Sequence, residues 1–327
     1  MKKILLLDTS VGTSNLGDYI IMECVRKELS FLLEQSFVYT LPTHLPAFNA
    51  FSVWRNSLAV QNYANCDLKF AGGSNLLVKD LRTHYPQWNI HCFDSKPLYG
   101  VVAVGVGAGA GDNTNRYTTR LYQKVLSHDY CHSVRDERSK AYVESLGLKA
   151  INTGCVTMWK LTPEFCRQIP TQKASRCVFT LTGRPAGAPV REEEQKMLDV
   201  LLRNYSEVFF WIQGDKDLEY FSRMRNTQSI KIIPPSVEAY DAVLQQEDLD
   251  YVGTRLHGGI YAMRHGKRAI IIAIDERARE INKANHLNCI ELREVPSKLE
   301  ELICGRFATR VEMPFDAIKR WKAQFSI

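Results

Sequence analysis

The pattern of apolar and polar residues along this chain repeats: a short apolar run is followed by a polar turn, and the turn is followed by a segment with helical spacing. In the first half, apolar runs predict strands at 3–7, 67–71, 99–106, 130–134 and 150–154. In the second half, they predict strands at 177–182, 208–213, 229–233, 249–253 and 268–274. This alternation is typical of α/β proteins whose parallel sheets are covered by helices on both faces.

The alternation stops once, in a polar segment at 163–175 that contains Pro170. We interpret this segment as the linker between two Rossmann-like domains, at 1–165 and 172–312, each large enough for its own core. The last residues, 313–327, have an amphipathic pattern and predict a helix that packs back on the first domain. This tail also leaves a peripheral membrane contact open, through the aromatic and basic side chains of Arg320, Trp321, Lys322 and Phe325.

Composition narrows the class of protein. Hydrophobic residues make up 45% and charged residues 24% of the 327 positions, as in soluble globular proteins of two domains. The net charge of +6 favours anionic substrates or a membrane surface. Basic clusters interleaved with aromatics are missing from the sequence, so nucleic acid is not an expected partner. The apolar run at 4–7 is too short for a signal peptide, so we expect a cytoplasmic protein, with a peripheral position at the inner membrane face left open.

The cysteines argue against a metal or disulfide framework. There are nine of them, scattered along the chain without a C-x-x-C pair. This pattern is typical of reduced thiols in a reducing compartment. His128 and His132 have the i, i+4 spacing of a helical zinc site, but the motif lacks its glutamate. We therefore expect no metal site.

The stretch 251–275 carries the strongest candidate chemistry. It predicts a strand, a helix at 256–265 and a second buried strand, which places Arg255 and His257 at a helix N-terminus and at the carboxyl end of a strand. Open α/β sheets bind ligands at that edge. The helix dipole favours an anion, arginine grips an anion with two bonds, and histidine transfers protons near neutral pH. The alternative is that Arg255 forms a structural ion pair and His257 caps the helix.

Three loops are weaker candidates. The first predicted strand is joined to its helix by a loop that contains Asn15 and Asp18, which bind an anion or only cap the helix. Gly72 and Gly73 follow a predicted strand, where a double glycine admits a close backbone or ligand, or a positive φ. Arg135 lies between a predicted strand and a helix, which is a second position suited to an anion-binding cation.

Read together, these motifs make the chain resemble the polysaccharide pyruvyl transferase family. The motifs that carry the resemblance are TSNLGD (13–18), AGGSNLL (71–77), YGVVAVGVGAG (99–109), SVRDERS (133–139) and TRLHGGIYAMRHGKRAIII (254–272). They follow the order of the family over most of the chain. The most specific of them is R-L-H-G at the start of a late helix.

The resemblance implies a GT-B-like fold, in which two Rossmann-like domains face each other across a cleft. It also implies an enzyme that moves pyruvate from phosphoenolpyruvate onto a sugar of a cell-surface polysaccharide or its precursor, as a ketal. By match to the R-L-H motif, Arg255 and Leu256 bind phosphoenolpyruvate and His257 is catalytic. By match to the R-D motif, Arg135 is a further contact. The first domain then forms the acceptor side, through the loops that contain Asn15, Asp18, Gly72 and Gly73.

The implied partners are phosphoenolpyruvate and a glycan acceptor, which is free or carried on a lipid or a nucleotide. No cofactor is implied, and homo-oligomerisation stays open. Two alternatives remain. One is a GT-B glycosyltransferase whose nucleotide-sugar donor binds through Glu276 or Glu280. The other is a binding protein on the same scaffold, in which Arg255 serves only as a structural ion-pair partner.

Overall fold

The apolar runs form the parallel strands of two sheets in a computed structural model, which describes residues 1–82, 87–109 and 114–325. The chain divides into two units. The first comprises Met1–Thr13, Ile21–Trp159 and Pro314–Ile327, and the second comprises Ser14–Ile20 and Lys160–Met313. The sequence boundaries placed the segment Ser14–Ile20 in the first domain. It groups with the second because the Leu16 N–H donates a 2.9 Å hydrogen bond to the Gln213 carbonyl.

The first unit holds a four-stranded sheet in the order β2-β1-β3-β4 and a separate pair, β5-β6, with every pairing parallel. The strands are β1 (Lys2–Asp8), β2 (Ser36–Pro42), β3 (Leu68–Gly72), β4 (Val101–Val104), β5 (His132–Val134) and β6 (Ala150–Asn152). The helices of this part are α1 (Leu16–Glu28), α2 (Ser30–Leu33), α3 (Ala50–Trp54), α4 (Leu58–Ala64), α5 (Arg116–Val125) and α6 (Glu137–Ser145). Helix α1 begins in the second unit and ends in the first.

The second unit holds a six-stranded parallel sheet in the order β12-β11-β10-β7-β8-β9. The strands are β7 (Arg176–Thr180), β8 (Glu207–Trp211), β9 (Lys231–Ile233), β10 (Leu249–Gly253), β11 (Ala269–Ala273) and β12 (Cys289–Glu291). The helices are α7 (Pro163–Cys166), α8 (Glu192–Asn204), α9 (Asp217–Phe221), α10 (Val237–Leu244), α11 (Leu256–Arg264), α12 (Glu276–Asn285) and α13 (Val295–Cys304). The last helix of the chain, α14 (Phe315–Ala323), belongs to the first unit.

The strand order of the second unit creates a topological switch point. Strand β7 lies between β8 and β10, so the chain runs outward from β7 on one side and from β10 on the other. In open parallel sheets of this kind, ligands bind outside the carboxyl ends of the two central strands. Both strands are buried along almost their whole length, which explains their continuous apolar runs.

Two strands of the structure have no counterpart among the predicted apolar runs, and two pairs of helices stand where the sequence predicts single helices. Strands β2 and β12 lie at sheet edges and are only partly buried, so their sequences lack the apolar runs that marked the others. The helical spacing of apolar residues at 17–33 predicts one helix, but the structure interrupts it at Leu29, between α1 and α2. The sequence likewise predicts one helix at 51–63, and the structure breaks it at Asn56, whose φ of 47° lies in the left-handed region.

Helix α14 packs its aromatic face into the first unit. The Trp321 indole N–H donates a 2.8 Å hydrogen bond to the Cys131 carbonyl, and its ring meets that of Trp159 edge-on. Phe325 contacts the rings of Phe70 and Tyr130. Trp321 and Phe325 are both buried, so neither of these two aromatic side chains is exposed for the membrane contact that the sequence left open. In the described part of the chain, no helix combines the length and apolar character needed to cross a bilayer.

A buried histidine makes the stability of the first unit depend on pH. The Nδ1 of His132 accepts a hydrogen bond from the Ala103 N–H, and its Nε2 lies 2.9 Å from the Ser127 carbonyl, as in a neutral ring. Burial lowers the pKa of His132 from 6.5 to about 4, so the unfolded chain takes up the proton first as pH falls. Between those two values we expect a loss of about 3 kcal/mol of unfolding free energy.

The variant His132→Gln, which cannot titrate, tests this pH dependence. Urea unfolding at several pH values should show a steeper loss of stability in acid for the wild type than for the variant. The variant itself is expected to be less stable near neutral pH, because glutamine does not reproduce both hydrogen bonds. Equal slopes for the two proteins between pH 6.5 and 4 would contradict the assignment to His132.

Candidate active site at the switch point

Helix α11 begins immediately after β10, at the switch point of the second sheet. Its N-cap residue is Arg255, with φ −90° and ψ 102°, and the arginine side chain makes no capping hydrogen bond. The first turn of a helix presents N–H groups that have no partner within the helix, and the helix dipole is positive there. The start of α11 is therefore suited to an anion, as the sequence predicted.

Two glycines let α11 lie directly against the sheet. A Cβ at Gly259 would lie 2.8 Å from the Tyr251 ring, and one at Gly258 would lie 3.2 Å from the hydroxyl of the same tyrosine. That hydroxyl donates a 2.7 Å hydrogen bond to the Arg255 carbonyl and lies 2.5 Å from the Thr180 hydroxyl. Burial raises the pKa of Tyr251 and keeps it a donor. Strand β10 thus fixes the residue that opens α11.

The Arg255 guanidinium is held from behind by a buried carboxylate. Its Nη2 pairs with Asp217, which is fully buried, and its Nε donates a 3.0 Å hydrogen bond to the Leu181 carbonyl. The Asp217 carboxylate also accepts hydrogen bonds from the backbone N–H groups of Gly183 (2.8 Å) and Gly214 (2.8 Å). A guanidinium has five N–H donors, so these two bonds orient Arg255 and leave three donors for a ligand.

His257 lies in the first turn of α11, beside two amide side chains. A Cβ at Gly17 would lie 3.4 Å from the His257 Nδ1, 3.1 Å from the Gln213 Nε2 and 3.1 Å from the Asn15 Oδ1. These three side chains therefore converge on one point, although they come from distant parts of the chain. The Gln213 Oε1 is buried and has no hydrogen-bond partner among the described residues.

A small pocket at this point joins the predicted residues to others. It contains two arginines, Arg255 and Arg277, the second of which lies in the first turn of α12 beyond β11. All of its lining residues belong to the second unit. They are Asn15, Thr182, Gln213, Thr254, Arg255, Leu256, His257, Asp275, Arg277 and Ala278. The pocket thus places two arginines, a helix N-terminus and a histidine together, and one of the arginines, Arg277, also lies 3.6 Å from the Asp275 carboxylate.

The family model for polysaccharide pyruvyl transferase matches residues 15–276, which is most of the chain and includes every residue that lines this pocket except Arg277 and Ala278. The chain belongs to the polysaccharide pyruvyl transferase family. The match begins at Asn15 and runs through α11 into the start of α12. No protein of curated function matches the sequence.

Solved structures of low sequence identity show the GT-B-type fold for this pyruvyl transferase family member. The UDP complex of MnaA from S. aureus has a TM-score of 0.55 at 12% identity, covering 98% of this chain and 94% of the other. The UDP-GlcNAc 2-epimerase of Methanocaldococcus jannaschii, in complex with UDP-GlcNAc and UDP, has a TM-score of 0.53 at 12% identity and 99% coverage of both chains. The Neisseria meningitidis UDP-GlcNAc 2-epimerase bound to UDP-GlcNAc has a TM-score of 0.51 at 12% identity, with 99% coverage of each.

Arg135 carries the family's R-D motif and lies in the first unit. Its side chain is only 6% exposed, and its Nε donates a 3.2 Å hydrogen bond to Asp136. The guanidinium lies over Gly107, where any Cβ would overlap it. Asp136 also caps α6 by accepting from the Ser139 N–H at 2.7 Å. The arginine is thus positioned by its neighbours within the first unit, and it is absent from the pocket at α11.

The double glycine of the pyruvyl transferase motif serves the packing of α1 on β3. Gly73 has a φ of 57°, and a Cβ there would overlap the Ile21 side chain. A Cβ at Gly72 would lie 2.8 Å from the Met22 sulfur. Both glycines therefore have α1 as their close neighbour, and Gly73 also adopts the positive φ that the sequence left open. Asp18 is buried and accepts a 3.2 Å hydrogen bond from the Asn15 amide.

The sequence did not single out Gln213 and Arg277, which line the pocket, or Asp217, which pairs with Arg255 outside it. Gln213 follows β8 and Asp217 is the first residue of α9, in a segment that matches no recognised motif. Arg277 follows β11 at the same edge of the sheet. Strand order would have identified them. In the sheet, β8 lies beside β7 and β11 lies beside β10, so the residues that follow these four strands meet at one edge.

Gly214 offers a test of the position of Arg255. A Cβ at Gly214 would lie 2.5 Å from the Arg255 Nη2 and 3.4 Å from the Asp217 Oδ1. Because the near atom is the tip of a flexible side chain, Gly214→Ala should displace the guanidinium and leave the fold intact. We expect roughly tenfold weaker binding of phosphoenolpyruvate, the value of one charge-assisted hydrogen bond. Because the displaced Nη2 also pairs with the buried Asp217, we expect a lower melting temperature as well, with a smaller loss than in a variant that lacks the guanidinium.

Isothermal titration calorimetry measures this effect directly. The matched control is Gly109→Ala, where the atoms nearest to an added Cβ are 3.6 Å away, an ordinary contact. The control should bind the ligand as the wild type does. Unchanged affinity in Gly214→Ala would mean that the guanidinium position does not matter for this ligand.

Proposed function

We propose that this protein transfers pyruvate from phosphoenolpyruvate to a sugar of a cell-surface polysaccharide or its precursor, as a ketal. Two sugar hydroxyl oxygens form bonds to C2 of the enol, the bond from C2 to the phosphate oxygen breaks, and the methylene carbon gains a proton. Of the two hydroxyl protons, one ends on the new methyl group and the other on phosphate. Atoms and charge therefore balance without an oxidant or a reductant.

The observation that carries the proposal is the pairing of two arginines with a helix N-terminus in one pocket. Phosphoenolpyruvate has a phosphate and a carboxylate, so a site for it needs at least two cationic groups. Arg255 and Arg277 supply these, and the N–H groups at the start of α11 supply further donors. Asp217 supports the donor site by fixing Arg255 from behind. Leu256, between Arg255 and His257, lines the same pocket.

His257 is assigned the proton transfer. It is the histidine of the pocket, and one histidine serves either the delivery of a proton to the methylene carbon or the removal of one from a sugar hydroxyl. Asn15 and Gln213 lie beside it and present amide groups suited to sugar hydroxyls. The enol ester is already activated, so this chemistry calls on side chains alone, and the proposal includes no cofactor.

A glycosyltransferase with a nucleotide-sugar donor is the second candidate. Its support is the likeness of fold to proteins that bind UDP or UDP-GlcNAc. Glu276, one of the two residues considered for the donor ribose, lines a larger, separate pocket of about 760 Å³ next to the first turn of α12. Arg255 would then hold a diphosphate.

Ligand-dependent unfolding and product analysis together decide between these candidates. A ligand at about 100 times its dissociation constant stabilises a protein by roughly 2.7 kcal/mol, which moves the melting temperature by several degrees. We expect phosphoenolpyruvate to do so and UDP-sugars not to. Incubation with phosphoenolpyruvate and a panel of glycans should then release phosphate and yield a glycan heavier by one pyruvate ketal. Stabilisation by a UDP-sugar alone would favour the glycosyltransferase.

A further inference from the structure

An exposed apolar tip projects from the first unit, in a part of the chain that the proposed function does not use. It consists of residues 50–58, from the start of α3 to the start of α4, and we name it the α3–α4 tip. Three large apolar side chains in it face solvent: Phe51 is 61% exposed, Trp54 is 80% exposed and Leu58 is 75% exposed. Contiguous exposed apolar patches are uncommon on folded proteins and often mark an interaction site.

The tip is a defined structure. The Asn49 side chain caps α3 by accepting from the Ser52 N–H at 2.7 Å, and Ser57 caps α4. Between the two helices, Asn56 makes the turn in the left-handed region. The Phe51 and Trp54 rings lie side by side, with centroids 6.0 Å apart. The two helix caps and the turn at Asn56 therefore fix the backbone from which these side chains face solvent.

The charge of this segment is unusual. Between residues 35 and 66 the sequence contains no aspartate or glutamate, and Arg55 is its one lysine or arginine. The Arg55 guanidinium lies 5.1 Å from the centre of the Phe51 ring. Among the described residues, no ion pair to Arg55 is present, so its charge faces outward with the apolar groups. The tip thus combines tryptophan, phenylalanine, leucine and one cation, without any anionic group.

We propose that the α3–α4 tip docks on the surface of an anionic lipid bilayer. Trp54 and Phe51 belong to the residue types that settle at the boundary between headgroups and acyl chains, and Leu58 adds exposed aliphatic surface. Arg55 meets the lipid phosphates, to which a nearby cation is attracted. Attachment to the bilayer through one small tip is expected to be weak and reversible.

Other occupants fit the tip less well. A stable protein interface buries about 800 Å² on each partner, more than three side chains on two short helices provide. A sugar platform pairs a flat aromatic face with hydrogen-bonding carboxylates, and the tip has an exposed leucine and no carboxylate. The lipid proposal does not depend on the proposed reaction, since none of these residues lines the pocket at α11.

Tryptophan fluorescence tests the proposal at the tip itself. The protein has five tryptophans, and the other four, Trp88, Trp159, Trp211 and Trp321, are each at most 5% exposed. Only Trp54 can therefore respond strongly to a new environment. Addition of vesicles that contain phosphatidylglycerol should shift the tryptophan emission of the wild type to shorter wavelength. The Trp54→Phe variant should show no such shift, although it should still sediment with the vesicles.

Two variants and one control complete the design. The triple variant Phe51→Ser/Trp54→Ser/Leu58→Ser should bind vesicles at least roughly tenfold more weakly in co-sedimentation. Arg55→Gln should lose roughly fivefold on anionic vesicles and little on phosphatidylcholine alone. Phe93→Ser removes a side chain that is 74% exposed outside the tip and should bind as the wild type does.

Three results would overturn the proposal. The first is co-sedimentation of the triple variant equal to that of the wild type. The second is a wild-type emission shift that follows protein concentration in the absence of vesicles, which would assign the tip to a second copy. The third is a shift with a neutral oligosaccharide and none with vesicles, which would assign it to a glycan. Release of phosphate with a water-soluble acceptor is expected to be the same in the triple variant and the wild type.

Discussion

Replacing His257 with glutamine is expected to lower turnover by roughly 10²–10⁴-fold, the usual contribution of a general acid or base. Glutamine keeps a hydrogen-bonding group of similar length at the start of α11, but it cannot take up and release a proton near neutral pH. The phosphate and carboxylate of the donor would still meet Arg255, Arg277 and the helix N-terminus. The loss is therefore expected in turnover, while binding of phosphoenolpyruvate remains close to that of the wild type.

Steady-state phosphate release, with calorimetry for the affinity, separates the two quantities. The matched control is His265→Gln at the other end of the same helix, where the Nδ1 of His265 lies 2.9 Å from the Tyr261 carbonyl. This control should retain near-normal turnover. Near-normal turnover in His257→Gln would remove His257 from the proton transfer, and a loss of affinity without a loss of turnover would make it a binding residue instead.

The unit β10–α11–β11 could be predicted from the sequence because the residues that determine it are close together in the chain. An apolar run, an arginine and a helical pattern closed by Gly266 give strand, turn and helix in that order, and the structure has all three. Gly266 has a φ of 72°, the left-handed conformation expected after a helix end. The alternation of such units in both halves also predicted the α/β class, and the resemblance predicted the GT-B-like fold, both of which are confirmed.

The surroundings of Arg255 were out of reach because they depend on the order of strands in the sheet. Asp217 is recognisable as a partner only once β8 lies beside β7, and Asn15 only once its loop is tied to the Gln213 carbonyl. The sequence weighed Arg255 as either a ligand-binding or an ion-paired residue. The structure shows that it is ion-paired and that it also lines the pocket at α11, where its ligand-binding role stays a prediction.

The aromatic residues illustrate the same limit. Trp321 and Phe325 belong to a tail whose composition is that of a membrane-facing segment, yet both are buried. Phe51 and Trp54, in contrast, are exposed on α3, a short helix that the sequence merged with α4. Amphipathic spacing identifies the apolar face of a helix but not the surface that covers it. Only the packing of α14 against Trp159 and Cys131 distinguishes the two cases.

Replacing Arg255 with methionine is expected to weaken phosphoenolpyruvate binding roughly 100-fold and to destabilise the protein by about 3 kcal/mol. The first effect is the loss of charge-assisted bonds to the ligand. The second arises because Asp217 is fully buried, and removing the partner of a buried charge leaves that charge uncompensated. Backbone N–H groups still donate to the Asp217 carboxylate, which places the cost at the low end of the usual range.

The double variant Arg255→Met/Asp217→Asn separates these two effects. Asparagine removes the buried charge and keeps one oxygen. Because Gly183 donates to Oδ1 and Gly214 donates to Oδ2, that oxygen replaces only one of the two acceptors, so part of the lost stability should return in urea unfolding. Binding of phosphoenolpyruvate should not return, because the cation that meets the ligand is still missing. If the double variant regained affinity together with stability, Arg255 would be a structural residue and the donor site would have to lie elsewhere. If Arg255→Met alone bound the ligand normally, the scaffold would still be of the pyruvyl transferase family, but its anion would be held by Arg277 and the helix N-terminus without Arg255.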